Sequence, residues 1–505
     1  MINRREFLTA AGASLAGLPA LADADTGNPV EVNLDRAAGP FPHYWEDTVG
    51  SDRTAVAFRE QWQQDLARVH RLTGARSVRC HGLFNDEMGV CGGIGPHGLQ
   101  LSFLYVSQIY DKLLELGVRP FVELSFMPTP LATSGNSIFF YKGNVSPPKK
   151  MEYWGQLVQA FTEHCVKRYG IQEVSQWRFE CWNEPNIAFW AGTRDEYFEL
   201  YRQTALAVKS ISSRIPVGGP ATAQVAWIPE FISYCVKSDV SLDFLSTHIY
   251  ANDPQEDIFG KPNAHRYEDV IPCALALARD RIASSKLPKL PLLITEWSSQ
   301  SPAFIAQTIR DCEGMAESMS YWTFSNVFEE FGPATQFFNS TFGMIGHRGV
   351  DRPSLHAFTL LHRIGDVKLE SSRGPVLATR RTDESCAILA WNNVQHEDVM
   401  SSAPARDELS TARREMECGK LLPLRLRFRR QREVRAARVT MIDMLRGSAL
   451  LTWESMGCPP YPTIEQIAGL RESAALPASQ ERPVIGNELA LELQPTGSAL
   501  IELEK

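Results

Sequence analysis

Two glutamates with tryptophan neighbours stand out. Glu184 lies in Glu180-Cys181-Trp182-Asn183-Glu184-Pro185-Asn186, and Glu296 lies in Leu292-Leu293-Ile294-Thr295-Glu296-Trp297. Each ends an apolar run that reads as a buried strand, and the two are 112 residues apart in sequence. Cleavage of a glycosidic bond needs two carboxyls across one sugar ring, one to protonate the leaving oxygen and one to attack or stabilise the cationic sugar. Trp and Asn beside them suit a saccharide, since aromatic faces pack on ring C–H groups and amides bond hydroxyls.

Other chemistries find little support in the residues. There is no Gly-x-Ser-x-Gly elbow, phosphate loop or His-Glu-x-x-His segment, and the eleven histidines show no metal spacing. No metal or other cofactor is expected. Glu180, directly before Cys181-Trp182, is a third carboxylate on the same strand face as Glu184 but deeper, where it reads as the buried partner of a base such as Arg79. Gly92-Gly93-Ile94-Gly95 reads as a loop, because no helix follows it with a dinucleotide pattern.

Something must bring Glu184 and Glu296 together. From about residue 30 to 365, short apolar strands alternate with amphipathic helices, the pattern of parallel strands with crossover helices. Expected strands are Ala75–Cys80, Arg119–Phe126, Gln176–Trp182, Ile215–Gly219, Phe244–His248, Leu290–Glu296 and Ser318–Phe324, with an opening strand near Gly39–Tyr44. Expected helices include Phe58–Leu72, Leu101–Leu116, Met151–Tyr169, Arg194–Ile211 and Pro302–Glu317, with Gly74, Gly117 and Gly170 at helix stops. Eight such units predict a (β/α)8 TIM barrel, whose reactive residues sit at the C-terminal ends of the strands. Glu184 and Glu296 then follow strands four and seven, and His81, His248 and Trp322 fall near other strand ends.

The remaining chain differs in character. Residues 366–505 carry short β-like segments, among them Cys386–Trp391, Leu422–Phe428, Ala437–Ile442 and Leu489–Leu493, and read as a C-terminal all-β, sandwich-like domain. Residues 28–34 are extended and expected to join it, while the polar stretch Ser401–Gly419 reads as a mobile insertion. Residues 1–24 have the order of a twin-arginine export signal: Arg4-Arg5, Phe7-Leu8, a mild apolar run, then Ala20-Leu21-Ala22. That predicts a periplasmic or secreted protein without a membrane span. Folding before export favours free thiols for the ten cysteines, none of which is spaced as Cys-x-x-Cys. A formal net charge of −8 argues against a nucleic-acid surface. The basic run Arg425–Arg430 alternates with apolar residues and reads as an exposed strand face. A homo-oligomer is left open.

Taken together, these motifs resemble glycoside hydrolase family 39, the family of β-xylosidases and α-L-iduronidases. Beside the two glutamate segments, Val78-Arg79-Cys80-His81-Gly82, Ser246-Thr247-His248-Ile249-Tyr250 and Tyr321-Trp322-Thr323-Phe324-Ser325-Asn326-Val327-Phe328-Glu329-Glu330 resemble its second, sixth and eighth strands. The resemblance implies a retaining mechanism with Glu184 as acid/base and Glu296 as nucleophile. It further implies that Asn183 bonds the sugar 2-hydroxyl, that Arg79, His248 and Tyr250 orient Glu296, that His81, Glu329 and Glu330 bind hydroxyls, and that Trp297 and Trp322 shape the pocket. Asn326, where the family has Asp, and Phe338-Asn339-Ser340-Thr341-Phe342-Gly343 depart from its usual pattern near the sugar rim. The expected activity is that of an exo-acting β-xylosidase on xylosides and xylo-oligosaccharides. The alternatives are a glycosidase for an arabinoside, galactoside, uronide or exopolysaccharide, and a non-catalytic carbohydrate-binding barrel.

Overall fold

The computed structural model describes residues 28–338, 342–394, 408–430 and 434–503. The export signal expected at 1–24 and the centre of the variant loop at 339–341 lie outside the described residues.

Eight parallel strands close a barrel: Val49–Arg53, Ser77–His81, Arg119–Leu124, Phe179–Cys181, Val217–Thr222, Phe244–His248, Leu292–Trp297 and Ser318–Tyr321. They are hydrogen-bonded in chain order, the eighth pairing with the first, as a TIM barrel requires. Helices cover the outside. Met151–Tyr169 shows why such a segment is helical: Trp154, Leu157, Val158, Phe161, Thr162 and Cys165 are buried at helical spacing on one face. Arg194–Ile211 starts at a capping box, in which the Thr193 hydroxyl accepts from Glu196 N–H and the Glu196 carboxylate accepts from Thr193 N–H. Helix Glu60–Thr73 stops at Gly74, whose φ of 72° is the left-handed conformation that glycine adopts without steric cost.

The opening strand expected at Gly39–Tyr44 is corrected. Val30–Pro40 is a strand of the other sheet, Tyr44–Glu46 is one 3-10 turn, and the barrel opens with Val49–Arg53. Its sequence, Val-Gly-Ser-Asp-Arg, has no apolar run, yet all five residues are buried. Polar bonding replaces hydrophobicity there: Trp62 Nε1 donates to Ser51 Oγ at 2.7 Å, and Asp52 accepts the N–H groups of Arg53 and Glu329 at 2.5 Å each. Gly92-Gly93-Ile94-Gly95, expected as a loop, lies in strand Cys91–Gly95, which forms a hairpin with Gly98–Leu101.

A second sheet has nine strands in the spatial order Gln480–Pro483, Ala436–Ile442, Ser498–Leu503, Cys386–Trp391, Val376–Arg380, Val367–Ser371, Val30–Pro40, Leu422–Arg429, Glu488–Leu493. Apolar side chains from near both ends of that order, Val439 and Leu491 among them, share one core with Val32 and Ile388, so the sheet curls over itself. The N-terminal strand pairs antiparallel with Val367–Ser371 and parallel with Leu422–Arg429. In the basic run, Leu424, Leu426 and Phe428 point into this core, while Arg425 and Arg427 pair with Glu488. The all-β expectation is too simple, because this region also holds helices Glu408–Cys418, Leu450–Ser455 and Ile464–Ser473. Residues 401–407 of the expected insertion lie outside the described residues, but 408–418 is a helix that buries Leu409 and Ala412 beside Phe338 and Trp453. Helix Pro353–His362, buried at every residue except His362, links the eighth barrel strand to the sheet. All ten cysteines are free thiols.

Candidate active site

The lower barrel interior is apolar, plugged by Phe121, Phe244 and Leu293. One layer above, toward the strand C-termini, the side chains become charged and mutually bonded. Arg79, fully buried, is the hub. Its Nε donates to Glu180 at 2.6 Å, Nη1 to Glu296 Oε1 at 2.8 Å and Nη2 to Asn183 Oδ1 at 3.0 Å. Nη2 is also 2.8 Å from Glu123 Oε2. Burial opposes the guanidinium charge, but Glu123, Glu180 and Glu296 outweigh it and raise the pKa. A planar five-donor group can serve four acceptors in different directions at once. Glu180 is therefore the deep ion partner of Arg79, and it also accepts from Thr295 Oγ1 at 3.0 Å.

Glu184 and Glu296 face one another. One carboxylate oxygen from each and one ring nitrogen of His248 all lie within 4.8 Å of one another. This is the close spacing of a retaining pair, for which carboxyls sit roughly 5–5.5 Å apart, and is too short to place a water between them for inversion. Glu184 sits just past the fourth strand with φ of 43°, its N–H bonded to Ala221 O at 2.8 Å. Burial lifts its carboxyl to about 7, with Glu123 adding to the rise and His81 and Arg79 opposing it. Glu296 is bonded differently: one oxygen accepts from Arg79, the other from the Tyr250 hydroxyl at 2.9 Å. Unequal surroundings thus give two like carboxyls different protonation roles.

His248 stands between the two. Its Nδ1 is 2.9 Å from Glu184 Oε1 and 3.6 Å from Glu296 Oε2. Burial pushes its pKa down to about 4, so the ring is neutral near pH 7. Its Nε2 faces Arg79 Nη2 at 3.5 Å, and a guanidinium can only donate. The Nδ1 therefore carries the proton and points it at the glutamates. His81 is the opposite case. Its burial disfavours charge, but Glu123 at 2.7 Å dominates together with Glu330 and Glu296, and the pKa rises well above that of an ordinary histidine. A cationic His81 then lies 3.4 Å from Glu330 Oε1 and 3.7 Å from Glu296 Oε1, with its ring centroid 4.5 Å from that of Trp322.

Of the residues singled out in the sequence, Arg79, His81, Asn183, Glu184, His248, Tyr250, Glu296, Trp322 and Glu330 come together in this network. Two do not. The chain bulges between Ile294 and Trp297, so Thr295 and Glu296 both reach the interior network. Trp297 is thereby turned outward, where it packs on Tyr321 and Phe358 and donates to Met319 O. It is a core side chain, not a pocket wall. Glu329 is also turned away: its carboxylate binds Arg53 at 3.0 Å and Arg59 at 2.5 Å. Its neighbour Glu330 takes the inward position, and burial raises its carboxyl to about 7.

Sequence reasoning missed Glu123, which fixes both Arg79 and His81. The signal was present, since Glu123 interrupts the apolar strand Arg119–Leu124 and lies two residues beyond Phe121 of the interior plug, on the same strand face. Asp253 was also missed. It accepts the Tyr250 N–H at 2.8 Å, and burial raises its carboxyl to about 7.

The sequence profile described as Glycosyl hydrolases family 39 matches residues 28–486. A β-xylosidase from Caldicellulosiruptor saccharolyticus is 34% identical over 470 residues, 88% of this chain and 91% of that protein. The crystal structure of a monomeric β-xylosidase from Caulobacter crescentus superposes with a TM-score of 0.83 at 32% identity, covering 94% of this chain and 99% of that one. Human α-L-iduronidase is 28% identical over 235 residues, 43% of this chain and 33% of that protein.

Proposed function

The chain belongs to glycosyl hydrolases family 39 and is a retaining glycosidase; from that premise we propose that it is an exo-acting β-xylosidase releasing xylose from β-xylosides and xylo-oligosaccharides. The observation that carries the reading is the close, differently bonded carboxyl pair. Glu184 holds a proton near pH 7 and Glu296 is an acceptor for Arg79 and Tyr250.

In the first step Glu184 donates its proton to the glycosidic oxygen while Glu296 attacks the anomeric carbon. The C–O bond to the leaving group breaks as the glycosyl–Glu296 ester forms. In the second step the ionised Glu184 takes a proton from water, and the hydroxide displaces Glu296 with overall retention. In the resting site the neutral His248 holds the Glu184 carboxyl through its Nδ1. The Asn183 side chain, oriented by Arg79 through its Oδ1, keeps its amide N–H groups available to a sugar hydroxyl. His81 and Glu330, at 3.4 Å, offer a charged donor and an acceptor to hydroxyls further round the ring.

The choice of β-xylosides rests on likeness: β-xylosidases match most of this chain at 34% and 32% identity, whereas human α-L-iduronidase is 28% identical over 43% of it and a bacterial orthologue of that enzyme, alike over 94% of the chain, is only 19% identical. The twin-arginine pattern at Arg4-Arg5 supports action outside the cytoplasm. A panel of p-nitrophenyl glycosides, with the first-formed product anomer read by NMR, tests the proposal. β-Xyloside as the best substrate, with β-xylose formed first, supports it; preference for another glycone moves the assignment to that sugar, and a first-formed α-product refutes retention.

A further inference from the structure

A hollow of about 440 Å³ opens beside the catalytic network, with Arg53, Phe58, Arg59, Glu87, Tyr105 and Gln108 among its lining residues. These residues end or follow the first and second barrel strands or lie in the first turns of helix Leu104–Glu115, so the hollow lies on the barrel face that carries the chemistry. The two sites share a wall. Arg53 lines the hollow and binds Glu329, while the adjacent Glu330 faces His81 in the catalytic network.

Its chemistry is specific in kind. Phe58 and Tyr105 are 37% and 52% exposed, with ring centroids 5.2 Å apart in an edge-on arrangement. The neighbouring Leu104 is 77% exposed, so apolar side chains stand uncovered at the mouth of the hollow. Around the rings stand planar polar groups: the Arg59 guanidinium, the Glu87 carboxylate and the Gln108 amide. Arg53 and Arg59 are offset by Glu87 and Glu329, with which they pair. The hollow therefore has no net field to select an ion. Apolar ring faces bordered by planar hydrogen-bonding groups, without net charge, match a neutral pyranose, which has C–H faces and an equatorial rim of hydroxyls.

We propose that this hollow is a second saccharide-binding site that takes a neutral xylo-oligosaccharide beside the cleavage pocket. The proposal rests on the glycosidase reading and adds to it a preference for chains over simple xylosides. Phe58 and Tyr105 contribute ring faces, and Arg59, Glu87 and Gln108 contribute hydrogen bonds.

The test compares full-length wild type with Phe58→Ala, Tyr105→Ala and the conservative Tyr105→Phe. The expected result is a KM for xylotetraose raised about tenfold in both alanine variants, equivalent to about 1.4 kcal/mol. The kinetics of p-nitrophenyl β-xyloside stay at the wild-type level in all three, which also shows that the variants fold, and Tyr105→Phe keeps the wild-type KM for the tetraose. An unchanged xylotetraose KM in both alanine variants overturns the proposal. If wild type cleaves neither substrate, the xylosidase reading fails separately. The hollow is then judged by saturation-transfer NMR with xylo-, cello- and mannotetraose. Contact that Tyr105→Ala removes upholds a saccharide site, and absence of contact with all three tetraoses in wild type overturns it.

Discussion

His248 Nδ1 lies 2.9 Å from Glu184 Oε1, and the ring is neutral because burial brings its pKa down to about 4. The acid is therefore steadied by a dipole and not by a cation. A cationic ring at this hydrogen-bond distance would favour the carboxylate and add to the lowering that His81 and Arg79 already exert on Glu184. With a neutral ring and a buried carboxyl, Glu184 keeps a pKa of about 7.

The alkaline limb of the pH profile follows from that value. Glu184 must be protonated to release the leaving group, so kcat/KM should fall about tenfold per unit as pH rises beyond about 7, where an ordinary glutamate would have ionised near 4.3. Steady-state rates with a poor leaving group read the limb directly. In Glu184→Gln the limb should disappear for an activated aryl xyloside, whose departure needs no proton. A limb that persists there would assign the acid to another group.

Arg79→Lys should lower kcat/KM by about 100-fold or more, since a compact ammonium cannot serve Glu123, Glu180, Asn183 and Glu296 together. Three of those partners are carboxylates that would be left short of donors in a dry interior, so the melting temperature should fall as well. Steady-state kinetics paired with thermal unfolding check both; an effect within threefold on each would contradict the hub assignment.

Trp297→Ala is predicted to cost about 3–5 kcal/mol of stability, because a fully buried side chain leaves a cavity against Tyr321 and Phe358. The enzyme that remains folded should show a KM close to wild type. Trp322→Ala should instead raise KM, since its ring packs on His81 beside the sugar pocket. Urea unfolding and saturation kinetics on both variants separate the roles.

Gly50→Ala should be damaging despite the small change. A Cβ there would meet Trp322 Cε3 at 2.4 Å and Tyr321 O at 3.2 Å. Only displacement of the Trp322 ring relieves the clash, at about 1–3 kcal/mol, typical of overpacking. Intrinsic tryptophan fluorescence and KM should both change.

A second carboxylate–histidine group, remote from catalysis, gives stability its own pH dependence. Glu46 Oε1 is 2.7 Å from His43 Nδ1 and 2.8 Å from His362 Nδ1, joining the chain ahead of the first barrel strand to the end of helix Pro353–His362. The hydrogen bond to Glu46 raises the His362 pKa. Burial opposes Glu46, but its bonds to His362 and His43 outweigh that and lower its pKa. The His362 contribution is whole below its ordinary value of about 6.5 and is lost as pH rises through the raised one; that of Glu46 is present above about 4.3 and lost as pH falls through the lowered one. The melting-temperature deficit of His362→Ala should thus be largest between roughly pH 4.5 and 6.5 and shrink as pH rises through the raised His362 value. With His362 partly exposed, the effect amounts to about 0.5 kcal/mol after solvent screening.

Much of this was legible in the chain, for reasons that can be named. Met151–Tyr169 and Arg194–Ile211 were readable to the residue, because helical spacing of apolar groups and flanking Gly170 or Thr193 mark their ends. The glutamates were readable because each closes an apolar strand. The first strand was not, since Ser51 and Asp52 are buried on hydrogen bonds to Trp62 and to distant backbone, a source of burial without a hydrophobic signature. The orientation of Trp297 was not readable either, as it depends on a bulge between Ile294 and Trp297 that simple alternation does not predict. Glu329 and Glu330 were indistinguishable by type. Arg53, the last residue of the first barrel strand, and Arg59 beyond it decide which one turns inward.

The division of labour between Glu184 and Glu296 is tested most directly by azide with an activated aryl xyloside on the two alanine variants, reading the configuration of the glycosyl azide by NMR. Glu184→Ala should be accelerated and yield the β-azide, because azide intercepts the ester on Glu296. Glu296→Ala should be nearly inactive and yield only the α-azide by direct attack. The same configuration from both variants, or the reverse assignment, would contradict the account.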